Sequence, residues 1–453
     1  MIGKRFPKLR TDNFKCEKLS KSDSRLDLLF CLKNLRVFHI KSIITMKFQN
    51  TKYLYISTLL AFILIPLGGL TTDIYIPSLP AMAEDLNVPV EKVQISLLLF
   101  MVSSGFSQLF IGSILDSFGR YRINIFALVT FSLASFIIAL VPDIDVIYLM
   151  RIVQGITVSL IIVGKRAFFV DLYKGEKLKH YTSLFSIVWA TAPIVAPFIG
   201  GYLQVLFGWQ SNFYLLGILT VIILLFELRF TGESLQNFQV FKRKEIAAVY
   251  RKILGTPDFY LGLIIIGLSY SLLVIYGMVS PFIIEKIYGF SPVVTGYSSL
   301  ASGIALMSGG IISKLMIKKG LFAKINAAII LQLIIVLAMF AVTSKYDGLA
   351  FLLGFTLSLH LLSGFIFNNV YAYSLQRFTT NAGIASGLTG GGVYVVSSVA
   401  GYGLINLFEI KDIQTFSLVN FIIVVTLFIV ILLFRKAIVS NSEIPSHLIK
   451  SKI

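Results

Sequence analysis

Residues 112–122 read GSILDSFGRYR, a charged turn set between two apolar blocks at 93–115 and 121–140. Gly112, Asp116, Gly119, Arg120 and Arg122 fit the pattern G-x-x-x-D-x-x-G-R-x-R. Glycines allow a tight turn and close helix approach. Asp116 can pair with Arg120 or face a helix N-terminus, whose free N–H groups attract anions. Such a turn can act as a gate latch that holds and releases during a conformational cycle. It can also be no more than a charged connection between two membrane spans.

The flanking blocks recur along the chain. A spanning helix needs about 20 mostly apolar residues. Blocks of that kind lie near 54–79, 93–115, 121–140, 146–170, 181–205, 210–230, 257–284, 293–314, 322–342, 347–371, 383–406 and 413–434. The composition agrees: of 453 residues, 56% are hydrophobic and only 14% charged. Soluble domains carry about a quarter charged residues, so this chain cannot cover its apolar mass with a wettable surface. Intrinsic disorder is excluded for the same reason. The expected fold class is an all-α integral membrane protein of twelve transmembrane helices.

Loop charge sets the orientation. With the N-terminus inside, the inner connections and adjoining helix ends carry eighteen Lys/Arg, against four on the other side: Lys92, Lys286, Lys345 and Lys411. That asymmetry places both termini in the cytoplasm. The net charge of +18 is thus spread between spans and forms no stripe for nucleic acid, which is not an expected partner. Residues 1–53 hold thirteen Lys/Arg and four acids and form a basic cytoplasmic leader. Met46 is an alternative start, since the sequence after it looks like an ordinary membrane-protein N-terminus. Cys16 and Cys31 both fall in this leader, so no disulfide framework is readable.

The longest internal polar stretch, 231–256, splits the spans into an N-terminal bundle at 54–230 and a C-terminal bundle at 257–435, with a tail at 436–453. Its FKRKEIAAVYRKIL segment fits a basic amphipathic helix on the inner surface. A weak internal repeat supports two six-helix halves: Gly105 and Gly112 recur 198 residues later as Gly303 and Gly310. Paired halves are typical of transporters with a central site between them. The second copy, GIISKLMIKKG, has Lys314 where Asp116 stands and Lys318 where Arg120 stands, so the halves are not gated identically.

Ionisable residues inside spans are costly and mark candidate sites. TTDIYIPSLPAMAEDL at 71–86 puts Asp73 in the outer part of the first span, before Pro77 and Pro80, which kink or end it. YLMRIVQGI puts Arg151 inside the fourth span, with Gln154 one turn on. Arg151 could meet a carboxylate, a backbone carbonyl or an anionic substrate group, or snorkel outward. Burial disfavours a carboxylate's charge and a nearby guanidinium favours it, so Asp73 could load and release a proton. Tyr75, Tyr270, Tyr276, His360 and Asn368 complete the candidate cavity, although each also suits plain packing. APIVAPFIGGYL in the fifth span carries Pro193, Pro197, Gly200 and Gly201, a bent and closely packing surface. No enzyme constellation, cofactor site or metal-ligand spacing is visible; IVGKRAF lacks the first Gly and the Ser/Thr of a phosphate loop.

Over residues 54–435 these features together resemble the major facilitator superfamily: GSILDSFGRYR its loop signature, RIVQG its fourth-helix motif. TTDIYIPSLPAMAEDL, GKRAFFVDLY and the fifth-span segment are similar to the twelve-helix drug:proton antiporter branch of the bicyclomycin and chloramphenicol resistance type. The resemblance implies the major facilitator fold and roles in proton coupling for Asp73 and Arg151. It maps the antiporter motif onto Pro197, Gly200 and Gly201; Ala192, Ala196 and Ser183 stand where that motif prefers Gly. Gln210 follows Trp209 where the branch often has Arg. The implied function is proton-coupled efflux of a small, partly apolar compound such as a drug, siderophore or metabolite across the cell inner membrane, by a monomer working with protons and membrane lipid. Uptake by the same fold and a non-transporting sensor or scaffold are the alternatives.

Overall fold

The computed structural model describes residues 47–236, 238, 243–378, 382–408 and 412–440. The leader through Met46 with both cysteines, the tail beyond Ser440, Lys242, Lys411 and Asn381 lie outside the described residues. Among the described residues the chain is helical, apart from one isolated bridge between Phe48 and Glu233.

Twelve long helical segments follow one another: α1 Thr51–Asp85, α2 Val90–Phe118, α3 Tyr121–Leu140, α4 Ile144–Leu172, α5 Gly175–Phe207, α6 Gln210–Phe230, α7 Pro257–Ile287, α8 Pro292–Leu315, α9 Leu321–Thr343, α10 Leu349–Arg377, α11 Ala382–Leu407 and α12 Ile413–Ser440. Ten of them are long and apolar enough to cross a membrane. The two others are α5, whose apolar stretch is Thr191–Phe207, and α8, which is rich in Ser and Gly. A shorter helix, Arg243–Leu254, occupies the connection between α6 and α7.

The helices alternate lipid-facing and core-facing stripes. On α3, Phe126, Leu133 and Leu140 are exposed, while Asn124, Phe131 and Ile138 are buried. Each trio repeats every seven residues, two helical turns, so the two stripes lie on different sides of the helix. An exposed apolar stripe of this kind is stable only against lipid.

α1 is broken rather than ended by its prolines. It runs as Leu54–Leu64, Leu67–Asp73, a 3-10 turn at Ile76–Ser78 and Leu79–Asp85. Pro77 and Pro80 each sit at the start of a new helical piece, where the missing N–H would have no partner anyway. The span therefore reaches Asp85, beyond the boundary at 79 expected from apolarity. α7 contains Pro281 and finishes in a π turn at Ile283–Ile287, a local unwinding common near functional sites.

Packing follows the internal repeat. α2 lies on α4, and α3 on α4 and α6, while α7 lies on α10, α11 and α12, and α9 on α10 and α12. The two groups meet along two seams, α2 with α11 and α5 with α8. One glycine of each repeat pair sits in a seam. A Cβ on Gly105 of α2 would stand 2.8 Å from the Gly391 carbonyl of α11, and one on Gly303 of α8 would stand 2.8 Å from Ile194 of α5.

Candidate functional site

A small cavity lies where the two seams converge. Thr72, Asp73 and Ile76 of α1, Leu97 of α2, and Pro193 and Pro197 of α5 form one wall. Tyr270, Leu273, Val274, Tyr276 and Gly277 of α7 and Ser299 and Ser302 of α8 form the other. About 30 Å³ is open to the centre of a water molecule, room for a few waters and far below the roughly 300–1,000 Å³ of a ligand pocket. The broken α1 supplies irregular backbone where it lines the cavity.

Asp73 ends the second piece of α1 and is 7% exposed. Its Oδ2 has no hydrogen-bond partner. Most buried polar groups are paired, so an orphaned carboxylate oxygen in a cavity wall marks a site completed by something else. Among the described residues no ion pair joins Asp73 to Arg151.

Arg151 is fully buried two turns into α4. Its Nη1 donates to the Thr71 carbonyl at 3.2 Å and to Gln154 Oε1 at 3.0 Å, and its Nε donates to the Ser96 carbonyl at 3.4 Å. Its guanidinium lies 4.7 Å from the Tyr75 ring centre and 4.4 Å from that of Phe100. Backbone carbonyls and aromatic faces thus hold the cation. Tyr75 in turn bonds Ser96 at 3.0 Å, and Gln154 donates to Ser135 at 2.8 Å. Arg151 therefore ties α4 to the backbone just before Asp73 and to α2 without reaching into the cavity.

Of the expected cavity residues, Asp73, Tyr270 and Tyr276 line it. Tyr75, Arg151 and Gln154 are packed behind the α1 wall. His360 stands behind α8: its Nδ1 is 2.6 Å from Ser302 Oγ, and its ring meets the Tyr276 ring edge-on at 5.3 Å. Asn368 is exposed on α10, on the side of Gly310. Ser299, Ser302 and Thr72, which belong to no motif, complete the polar lining. Short hydroxyl side chains are too common in membrane helices to be distinctive.

The fifth-span motif lies in the α5–α8 seam and against α1. A Cβ on Gly200 would stand 1.6 Å from the Ile74 carbonyl oxygen, and one on Gly201 would stand 2.7 Å from that of Pro292. Across the seam, a Cβ on Gly296 would meet the Pro197 carbonyl at 2.8 Å. On this side of the cavity, Glu84 of α1 is ion-paired with Lys286 of α7, and Gln94 of α2 donates to the Met278 carbonyl at 2.8 Å. Both contacts cross between the two helix groups.

The charged turn sits at the opposite end. Asp116 lies 3.1 Å from Arg120, and Arg120 lies 2.5 Å from Asp171 at the end of α4. Asn381, just before α11, lies outside the described residues. Arg122 is exposed, and a Cβ on Gly112 would meet nothing within 4 Å. Gly119 has φ +88°, which side chains rarely adopt. This turn lets the Glu233 carboxylate accept from the backbone N–H groups of Arg120 and Tyr121 at 2.9 and 3.0 Å. A carboxylate from 113 residues away thereby caps α3. Glu233→Ala is expected to lower stability by about 1–2 kcal/mol, read as an earlier unfolding midpoint of the purified protein, whereas an unchanged midpoint would show the cap to be dispensable.

Two buried ion pairs at this end were not readable from spacing. Lys165 of α4 contacts both oxygens of Glu227 of α6 at 2.7 Å, and Glu227 also accepts from Asn124 and Thr231. Arg377 and Tyr373 of α10 donate to Asp258 of α7 at 2.7 and 2.8 Å.

Comparison with known proteins agrees with this architecture. The profile of the Major Facilitator Superfamily matches residues 61–402. The chain is similar to the multidrug resistance protein MdtL of Vibrio parahaemolyticus, 27% identical over 339 residues that cover 73% of this chain and 84% of the relative. It is also similar to a bicyclomycin resistance protein homolog of Haemophilus influenzae, 32% identical over 170 residues, 38% of this chain and 42% of the relative. Among solved structures, the fold is similar to that of a D-xylose-proton symporter, with a TM-score of 0.64 at 13% identity over 83% of this chain and 97% of the other. With paired helix groups, a cavity between them and a profile match over most of its length, the chain is a multi-pass membrane transporter that belongs to the Major Facilitator Superfamily.

Proposed function

We propose that this chain is a proton-coupled exporter of a small, partly apolar organic compound. It works as a monomer in the cell inner membrane, with both termini cytoplasmic and two six-helix halves, 54–230 and 257–435, rocking about the central cavity. The observation that carries the coupling is the Asp73 carboxylate, buried in the cavity wall with one oxygen unpartnered. The names of the relatives support export of drug-like compounds, and the loop charges support the orientation.

Access alternates between the two ends. With the cavity open outward, Asp73 takes up a proton and substrate leaves. The halves then close at the Glu84–Lys286 end, as they are closed here, and the carrier opens toward the cytoplasm. There the proton departs and substrate binds. Arg151 holds the broken stretch of α1 in register with α2 and α4, so movement of α1 is transmitted to the bundle. At the cytoplasmic end, Arg120 stands between two carboxylates, Asp116 and Asp171, and can shift its share between them as the gate moves.

Untargeted metabolite profiling of cells and medium, with and without the gene, tests direction and substrate together. Export predicts a compound that accumulates in deletion cells and is lost from their medium. A compound left in the medium only by deletion cells would establish uptake instead.

A further inference from the structure

We propose that the α8–α9 end of the C-terminal half binds the phosphate of an anionic phospholipid, seated on the first turn of α9 and held by Lys324. This site lies away from the central cavity, and lipid would bind there whichever compound is carried and in either direction. A difference between the two halves carries the proposal. In the N-terminal half, the Glu233 carboxylate accepts from the N–H groups of Arg120 and Tyr121 at the start of α3, and Asn124 donates to the Glu227 carboxylate. α9 is the third helix of the other half, as α3 is of the first. It begins after Gly320 with no side chain capping it, and Lys324 stands where Asn124 stands, three residues past the first of the helix.

Lys324 is 8% exposed, and among the described residues its side chain has no hydrogen bond or ion pair. A helical side chain leans back toward the helix N-terminus, which turns this lysine toward the turn whose free N–H groups attract anions. A cation so far buried needs a counter-charge, and its own half offers none. Within residues 257–440, Asp258 is the one acid at this end, and it is held by Arg377 and Tyr373. Further bases gather instead: Lys314, Lys318 and Lys319 around the α8–α9 turn, and Arg435 and Lys436 on α12, all exposed. The Phe322 and Phe434 rings, 6.2 Å apart, bring the start of α9 to that part of α12. The anion therefore comes from outside the chain. A lipid suits the place better than a free ion, because Leu315 and Ile317 are exposed among the lysines and give an acyl chain an apolar surface. Basic pockets at the ends of membrane helices favour acidic headgroups. The phosphate then does for α9 what Glu233 does for α3.

Native mass spectrometry of the full-length protein in detergent tests this, with phosphatidylglycerol or phosphatidylcholine added in equal amounts. The protein should retain phosphatidylglycerol in preference to phosphatidylcholine. Lys324→Gln should weaken that binding about fivefold, and Lys318→Gln/Lys319→Gln about twentyfold, at roughly fivefold per lysine near the membrane surface. Lys174→Gln/Lys177→Gln, exposed on the α4–α5 connection of the other half, is the control and should bind as the wild type does. If Lys324→Gln fails to fold, the exposed pair Lys318 and Lys319 still decides. Equal retention of the two lipids, unchanged binding in the α8–α9 variants, or an equal loss in the control would overturn the site. Displacement of the lipid by inorganic phosphate at the same concentration would assign the site to a free anion and overturn the lipid reading.

Discussion

Lys165→Met is expected to destabilise the protein by about 3–5 kcal/mol, the cost of leaving one member of a buried ion pair uncompensated. Glu227 has no exposure at all, and Lys165 is its only cation among the described residues. The remaining partners, Asn124 and Thr231, are neutral and cannot offset a full charge. Because these residues come from α3, α4 and α6, the loss loosens three helices of one group. The measurement is the unfolding midpoint in detergent. Lys165→Met/Glu227→Gln should recover most of the loss, since Gln keeps the hydrogen bonds without the charge. If the single and double variants unfold alike, the pair contributes nothing as a pair.

Gly200→Val is expected to abolish transport. Its first side-chain atom would stand 1.6 Å from the Ile74 carbonyl oxygen, and backbone cannot yield as a flexible side chain can. Overpacking costs about 1–3 kcal/mol even where neighbours can shift. Here relief requires separating α5 from α1, which carries Asp73. Such a variant should reach the membrane in reduced amount and show no substrate flux. Gly112→Ala makes the contrast: it meets nothing within 4 Å and should transport at the wild-type rate although it lies in the signature turn. Active Gly200→Val would mean that α1 and α5 separate freely and that the close approach has no part in the cycle.

Much of the fold was legible because a bilayer imposes simple rules. Twelve apolar blocks and the charges between them located the helices to within a few residues at most ends. The rules failed where helices pack on helices. α8 is buried in a seam and can be built from Ser and Gly, so its composition falls short of a lipid-facing span. α1 extends past Pro80 because proline at the start of a helical piece continues the path. The site was only partly legible. Asp73 and Arg151 stand out as charges inside apolar sequence, but nothing local shows that Arg151 bonds backbone carbonyls and packs on rings, with its Nη2 unpartnered, rather than pairing with Asp73. Lys165 reads as part of a failed phosphate loop and Glu227 as a residue near the interface. Their pairing across 62 residues, like that of Glu233 with α3, is created by tertiary structure alone.

Proton coupling through Asp73 is tested most directly in proteoliposomes loaded with the compound that profiling identifies, under an imposed pH gradient. Wild-type protein should exchange substrate for protons, with flux that rises with the gradient. Asp73→Asn should bind the compound and equilibrate it down its own gradient, with no response to pH. Full gradient-driven flux in Asp73→Asn would contradict the mechanism.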